Sequence, residues 1–512
     1  MEKRGSWASR STFILAAVGS AVGLGNAWRF PGLAAKYGGG SFLFVYVVAL
    51  LVLGIPLLTM EISIGRRVHR GAPGTFRAMH KKAEWVGWAA TTNAFFIATY
   101  YAIVFAWVLL MFGISYKFAG MTGNSDAASA LFTKTIETTG TTSGYSIPPI
   151  LIVAALVAWL LIYFCIRNGA SSVGKVVKYT VFAPVVCLVI MAIKGFTMPG
   201  SMEGLATLFI PKWGALSNAS LWIDAVGQVF YSLSIMMAIM IAYGSFLDRS
   251  ANIAADSLII AFSDLGVSVL SGIVMFTTMY GCGMDVSAMS TSGIATAFII
   301  YPTAIVNLTG NGVINAIFGA VFYLCLITLA IDSAFSIVEG VSTAISDKFH
   351  LNHKKTTLVV CTISAIVSIL FITRAGLAWL DIVDNWTNQY SMIIIGVFEC
   401  IVVGWVFDPN KVVAEVNLNA KRFRMPQWWF DLSIRFISPI ILFGFLCWNM
   451  YTLFAKNGGR YNTEYGFFAE IIGGWVIMAL CFLSGFIIKA ICKAKKKKGF
   501  VEEELSWDDQ ED

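Results

Sequence analysis

Charged residues are what this chain has least of. Asp, Glu, Lys and Arg make up 13% of 512 residues, against 57% for the apolar types. A water-soluble chain of this length needs far more charge to cover its surface. The scarcity excludes a soluble globular protein and leaves a polytopic helical membrane protein. Histidine is nearly missing, with four in all, and the nine cysteines stand singly (Cys165, Cys187, Cys325, Cys400, Cys447 and Cys481 among them) with no CxxC pair. Neither a metal centre nor a disulfide framework is indicated. There is no HExxH and no GxSxG with partner residues, so a membrane enzyme finds no nucleophile–base pair to work with. Gly169 to Lys175 spells GxxxxGK, but Val176 stands where a phosphate loop needs Ser or Thr, and no strand precedes it. Asn218-Ala219-Ser220 and Asn307-Leu308-Thr309 match glycosylation triplets of a kind frequent by chance. A cleavable leader is not expected either, because Ile14 to Val18 runs on into a helix-length apolar segment.

The charge that is present is placed in blocks. Basic clusters fall at Lys3/Arg4/Arg10, Arg66/Arg67/Arg70, Arg77/Lys81/Lys82, Lys175/Lys178, Lys348/Lys354/Lys355, Lys421/Arg422/Arg424 and Lys493 to Lys498. The loops between them are nearly free of Lys and Arg. This alternation explains the net charge of +7 without nucleic acid, and it places both termini in the cytoplasm of a multi-pass plasma-membrane (cell inner membrane) protein. Twelve spans are expected, at 12–36, 41–66, 87–116, 147–167, 174–195, 222–247, 255–284, 312–346, 356–373, 377–406, 433–454 and 467–492. Residues 1–11 form a cytoplasmic segment and 12–406 a transport core. Spans 11 and 12 occupy 433–492, and 493–512 is a cytoplasmic tail. The lysine run followed by Glu502 to Asp512 reads as solvated. The long loops at 117–146 and 196–221 fall on the outside by the charge rule.

Within this apolar background one segment stands out, Gly19-Ser20-Ala21-Val22-Gly23-Leu24-Gly25-Asn26. Three glycines within seven residues make a poor continuous helix. A broken helix in a bilayer must find partners for its freed backbone groups, and ions or a bound ligand serve. A packing face of small residues is the bland alternative. The sixth span carries a weaker polar interruption at Tyr231-Ser232-Leu233-Ser234. A break in the first span of each of two five-helix halves, 12–195 and 222–406, fits an inverted repeat.

Five carboxylates lie inside expected spans: Glu61, Asp264, Asp332, Glu339 and Glu399. Buried charge is costly in a membrane and points to function. Asp332 with Ser333 offers hard oxygens suited to Na⁺; the alternative is a protonated Asp bonded to a neighbouring helix. Asp264, beside Ser263 and one turn from Ser268, reads the same way. Glu61 reads as structural, accepting backbone N–H groups that a broken helix releases.

These residues resemble a family. Ala21 to Pro31, with Trp7, Gly38-Gly39-Gly40, Gly54-Ile55-Pro56 and Glu61, Tyr100-Tyr101, Gln228 to Ser234 and Ile331-Asp332-Ser333, is similar to the neurotransmitter:sodium symporters over essentially the whole chain. The resemblance implies an all-α membrane protein of the LeuT type, with twelve helices, a 5+5 inverted repeat and broken spans 1 and 6. It implies Na⁺ as the coupling ion at two sites. The first would use Ala21, Asn26, Ser232 and Asp264 with the substrate carboxylate; the second, Gly19, Val22, Leu329, Asp332 and Ser333. The substrate carboxylate would meet Leu24, Gly25 and Tyr101, and the amino group carbonyls of Ala21, Tyr231 and Ser232. The side-chain pocket would comprise Ile97, Tyr101, Tyr231, Ser234, Met237, Ser333, Ser336 and Ile337. Arg29 and Asp384 would form one gate pair; Arg4 and Asp347, with Trp7 and Tyr243, the other. Gly174 and Pro184 match a Gly-x₉-Pro element whose unwinding would release Na⁺ inward.

Two departures shape the expected substrate and ions. Biogenic-amine transporters of the family carry Asp where this chain has Gly23, so an amino acid is expected. Chloride-dependent relatives carry Asn at Asp264, beside Tyr46, Gln228, Ser232 and Ser268, so no chloride requirement is expected. Met236-Met237-Ala238 looks like the bacterial branch that carries tyrosine, which implies a large apolar or aromatic substrate. Proton coupling through Asp264 or Asp332, and a non-transporting amino-acid sensor of the same fold, are the alternatives.

Overall fold

The computed structural model describes residues 6–284, 293–496, 501 and 503–508, and every regular element among them is helical. Among the described residues, ten helices are long and apolar enough to cross a membrane: Gly40–Val68, Glu84–Gly113, Pro149–Ile166, Ala170–Phe196, Ile253–Gly281, Gly312–Phe349, His353–Ile372, Gly376–Val406, Gln427–Lys456 and Phe467–Lys496. An eleventh candidate is Arg10–Ala21 followed by Gly25–Lys36, bent by 49° at the glycine-rich break. The expected sixth span, 222–247, is not one continuous helix. There the chain forms two helices, Ala219–Ser232 and Ile239–Gly244, each too short to cross alone.

The two interruptions have different local causes. Ser9 caps the first helix by accepting the Thr12 N–H, and the helix stops at Val22, whose backbone is extended. Glycine at 23 and 25 then lets neighbouring groups come close. A Cβ at Gly23 would lie 2.4 Å from Ser333 Oγ, and one at Gly25 2.9 Å from the Tyr231 ring. The second interruption, 233–238, has no glycine. Ser234, Met236 and Ala238 instead adopt left-handed backbone, with φ of 53°, 64° and 61°. Left-handed backbone is disfavoured for residues that carry a Cβ and persists only when the surroundings hold it. The surroundings here are Glu61, whose Oε1 accepts the Met236 N–H at 2.5 Å, and Gly396, whose missing Cβ leaves room for the Met236 thioether. Glu61 thus does the structural job expected of it.

Helices at the rim expose large apolar side chains, such as Leu156, Phe164, Ile193, Phe443 and Phe486. Facing hydrocarbon, such positions are stable. The loops at 117–146 and 196–221 are not wholly irregular; they fold the helices Ser125–Ile136 and Ser201–Phe209. The reading of the acidic C-terminus as solvated is also corrected for its described part. Trp507 is buried and its ring packs on Phe407, with centroids 4.9 Å apart. An aromatic anchor and basic partners outweigh the solvation of the acidic run.

Candidate functional site

The interrupted ends of the two broken helices face one another and are stitched together. The Ser20 carbonyl, at the end of Arg10–Ala21, accepts from Ser234 Oγ at 2.9 Å and from Ser333 Oγ at 3.3 Å. Between them lies a small cavity. Ala21, Leu24, Gly25, Ile97, Tyr101, Tyr231, Ser232, Ser234, Met237, Ser333 and Ile337 all line it. Ser336 is the exception among the expected substrate residues. It is buried behind the wall, where its hydroxyl accepts from Ser20 Oγ at 2.8 Å and donates to the Ser333 carbonyl. Ser20 and Gly23 line the cavity too and were not expected. Their position inside the break was the available signal.

No side chain caps the start of the Gly25–Lys36 helix. Its first-turn N–H groups therefore carry the positive end of the helix dipole toward the cavity, with the Tyr101 hydroxyl beside Gly23. The wall of Ile97, Met237 and Ile337 is apolar.

Two carboxylates adjoin the cavity. Asp264 is fully buried. Its Oδ1 accepts from Ser232 Oγ and Asn26 Nδ2, both at 2.7 Å, and its Oδ2 from Tyr46 at 3.0 Å. Asn26 Nδ2, with two hydrogens, also faces Ser232 Oγ at 3.0 Å and Ser268 Oγ at 2.8 Å, while Asn26 Oδ1 accepts the Gly23 N–H at 2.9 Å. So many oxygens around one amide form a shell richer in acceptors than a neutral group needs. Gln228 lies next to it and donates to the Gly25 carbonyl at 3.2 Å. The expected first ion set and the residues around it are brought together.

Asp332 is the second, 1% exposed, with Oδ1 buried and lacking a hydrogen-bond partner. Its other oxygen crowds Gly19, where a Cβ would lie 2.6 Å from Oδ2. A buried carboxylate oxygen without a donor fits a cation ligand. Gly19 and Ser333 are adjacent to it; Val22, just past the end of Arg10–Ala21, and Leu329, on Gly312–Phe349, are buried. Val181 also touches this corner, at the point where the Ala170–Phe196 segment pauses ahead of Pro184. Glu339 instead pairs with His353 at 3.2 Å and accepts from Thr343 at 3.3 Å. Both Glu399 oxygens are buried with no hydrogen-bond partner.

The residues of the two expected gates have different surroundings. On the face that carries the N-terminus, Trp7 is buried, donates its indole N–H to the Tyr243 carbonyl at 3.0 Å and packs on the Tyr243 ring. Asp347 accepts the Gly71 N–H at 2.7 Å. Arg4 lies outside the described residues. On the opposite face Arg29 and Asp384 are not ion-paired. The Arg29 guanidinium lies over the Tyr231 ring, 5.3 Å from its centroid. Asp384 is satisfied by Tyr100 at 2.7 Å and Asn388 at 2.8 Å. A hollow of about 300 Å³ lies between them, with Tyr101 and Tyr231 shared between it and the inner cavity. The first face is packed around Trp7, and on the other the hollow reaches to within two tyrosines of the cavity.

The class of protein to which this membrane fold belongs follows from comparison with known proteins. The chain belongs to the Sodium:neurotransmitter symporter family, which it matches over residues 4–124 and 125–496. It is 33% identical over 510 residues to a sodium-dependent transporter of Methanocaldococcus jannaschii, covering 97% of this chain and 99% of that one. It is 30% identical over 500 residues to sodium- and chloride-dependent glycine transporter 1 of Xenopus laevis, covering 86% and 77%. The fold is similar to that of MhsT, crystallised in complex with L-phenylalanine. The TM-score is 0.74 at 26% identity, over 86% of this chain and all of that one.

Proposed function

We propose that the protein is a Na⁺-coupled symporter of a large apolar or aromatic amino acid, tyrosine foremost, working by alternating access without a chloride requirement. The observation that carries this reading is the buried, unpartnered Oδ1 of Asp332 beside a cavity walled by both helix breaks. One Na⁺ would be held there with Gly19, Val22, Leu329 and Ser333. A second would enter the oxygen shell of Ala21, Asn26, Ser232 and Asp264, with the Asn26 amide turned to present its oxygen. The substrate carboxylate would sit at the uncapped start of Gly25–Lys36, complete that shell, and so couple amino-acid and Na⁺ binding reciprocally.

The apolar wall of Ile97, Met237 and Ile337 suits a large side chain, and flexible Met tolerates bulk. That MhsT was crystallised with L-phenylalanine supports the same class. Tyr46 and Ser232 already donate to Asp264, so a fixed negative charge occupies the place where an anion would otherwise be required. Counting each broken pair as one crossing gives twelve spans with both termini on the cytoplasmic side of a cell membrane, and the closed gate then faces the cytoplasm.

Uptake of labelled tyrosine into proteoliposomes under an inward Na⁺ gradient, with chloride replaced by gluconate, tests the reading. Na⁺-driven uptake competed best by aromatic amino acids is expected. Uptake that persists when choline replaces Na⁺ at fixed pH would overturn sodium coupling, and binding without flux would favour a sensor.

A further inference from the structure

The last described stretch of the chain lies against several separate pieces of the closed face. Arg70 grips Glu503 with two nitrogens, at 2.5 and 3.2 Å. Arg67 donates to the Trp507 carbonyl at 3.0 Å, and its guanidinium lies 6.0 Å from the indole centroid. Lys411, on the helix Pro409–Asn417, reaches both oxygens of Asp508 at 2.8 and 2.9 Å. Leu505 abuts the turn at Gly74, where a Cβ would meet it at 3.4 Å.

What this segment holds is tied directly to the gate. Arg70 is bracketed by Gly71, whose N–H is on the gate carboxylate Asp347, and by His69, whose Nδ1 is 3.0 Å from the Ser245 carbonyl. Ser245 directly follows Ile239–Gly244, the second half of the broken span. One residue on, the Phe246 carbonyl accepts the Trp7 N–H at 3.2 Å. Loop 69–71 is therefore the place where gate, broken span and C-terminal segment meet.

We propose that residues 503–508 are a strap that docks on loop 69–71 and on Pro409–Asn417 only while this face is closed, and so biases the transporter against opening there. Exposed ion pairs contribute little one at a time. Here they flank a buried indole, whose desolvated area supplies the adhesion that the charges then orient. A segment that binds one of two conformations shifts their populations by its differential affinity. The gating consequence rests on the alternating-access reading above; the docking does not.

The test uses three kinds of chain in lipid nanodiscs and proteoliposomes: full length, a truncation lacking 501–512, and Trp507→Ala. Hydrogen exchange is read on the peptide covering 69–79, and Na⁺ half-saturation on uptake. Without the strap, amides of 69–79 should exchange about fivefold faster or more, and Na⁺ half-saturation should rise about threefold as the open-outward population falls. Arg70→Glu and Glu503→Arg should each reproduce the faster exchange, and the two together should restore it, which separates lost docking from damaged folding. Unchanged exchange in both the truncation and Trp507→Ala would overturn the docking. Faster exchange with unaltered Na⁺ half-saturation would overturn the bias. Absence of Na⁺-dependent uptake in the full-length chain would overturn the transport reading instead, and exchange alone would then judge the strap.

Discussion

Gly19→Ala is the sharpest probe of the proposed second sodium site, because helix propensity and ion binding should respond to it with opposite signs. Gly19 lies inside the helix Arg10–Ala21, where alanine is favoured over glycine by about 0.5–1 kcal/mol. The helix itself should gain. The added methyl, however, would stand 2.6 Å from Asp332 Oδ2 and 3.0 Å from Val181 Cγ2. Carbon and oxygen settle at about 3.3 Å, so the carboxylate must retreat by about 0.7 Å. A hard cation holds oxygen at about 2.4 Å. With an effective permittivity of about 20, stretching that contact to about 3.1 Å costs about 1.5 kcal/mol, roughly a tenfold loss of Na⁺ affinity. The assay is Na⁺-dependent tyrosine uptake over a range of Na⁺ concentrations at constant ionic strength, paired with the melting temperature of the purified protein. Gly266→Ala serves as control, because a Cβ there meets nothing within 4 Å. A Gly19→Ala protein that melts no lower than wild type but needs about ten times more Na⁺ supports the site. Half-saturation within about twofold of wild type would refute the placement of Na⁺ against Asp332.

Other expectations follow from the same geometry. Asp264→Asn removes the carboxylate that Tyr46, Ser232 and Asn26 address; uptake in gluconate should fall and chloride should partly restore it, whereas full chloride-insensitive activity would sink the charge-replacement argument. Ile97→Trp fills the apolar wall of the cavity and should weaken competition by tyrosine and phenylalanine about tenfold or more, while a small amino acid such as alanine is affected less; equal losses for all would speak against a side-chain pocket there. Glu61→Ala strands the buried Met236 N–H and should destabilise the protein by about 1–3 kcal/mol, seen as a lower melting temperature. Glu61→Gln keeps an acceptor and should recover much of that loss.

The apolar crossings and the first helix break were legible in the sequence because their causes are local: hydropathy over helix length, and glycines clustered where a Cβ would collide. The residues expected to hold ion and substrate came from a motif resemblance, and most of those expected for the substrate line one cavity. The second break was faint, since Ser234, Met236 and Ala238 take left-handed backbone without glycine, under constraint from Glu61 and Gly396, which are remote in sequence. Ser336 is expected in the pocket only through the family resemblance, and a partner on another helix, the Ser20 hydroxyl, draws it aside. The acidic terminus read as solvated because charge dominates its composition. A single tryptophan with two arginines waiting on the opposite surface reverses that. That Arg29 and Asp384, the expected gate pair, have other partners is a matter of conformation, which residue identity does not encode.

The hydrogen bond from Met236 to Glu61 has a consequence for polarity. The second break sets a buried carboxylate of the protein itself on the Met236 N–H. The first holds its Gly23 N–H with a neutral amide oxygen, that of Asn26, and has no side-chain cap at the start of Gly25–Lys36. Negative charge is thus built into one break and not the other. Under the proposed function, the acidic end of an amino acid would be drawn to the first break, and the substrate would enter facing a single way round.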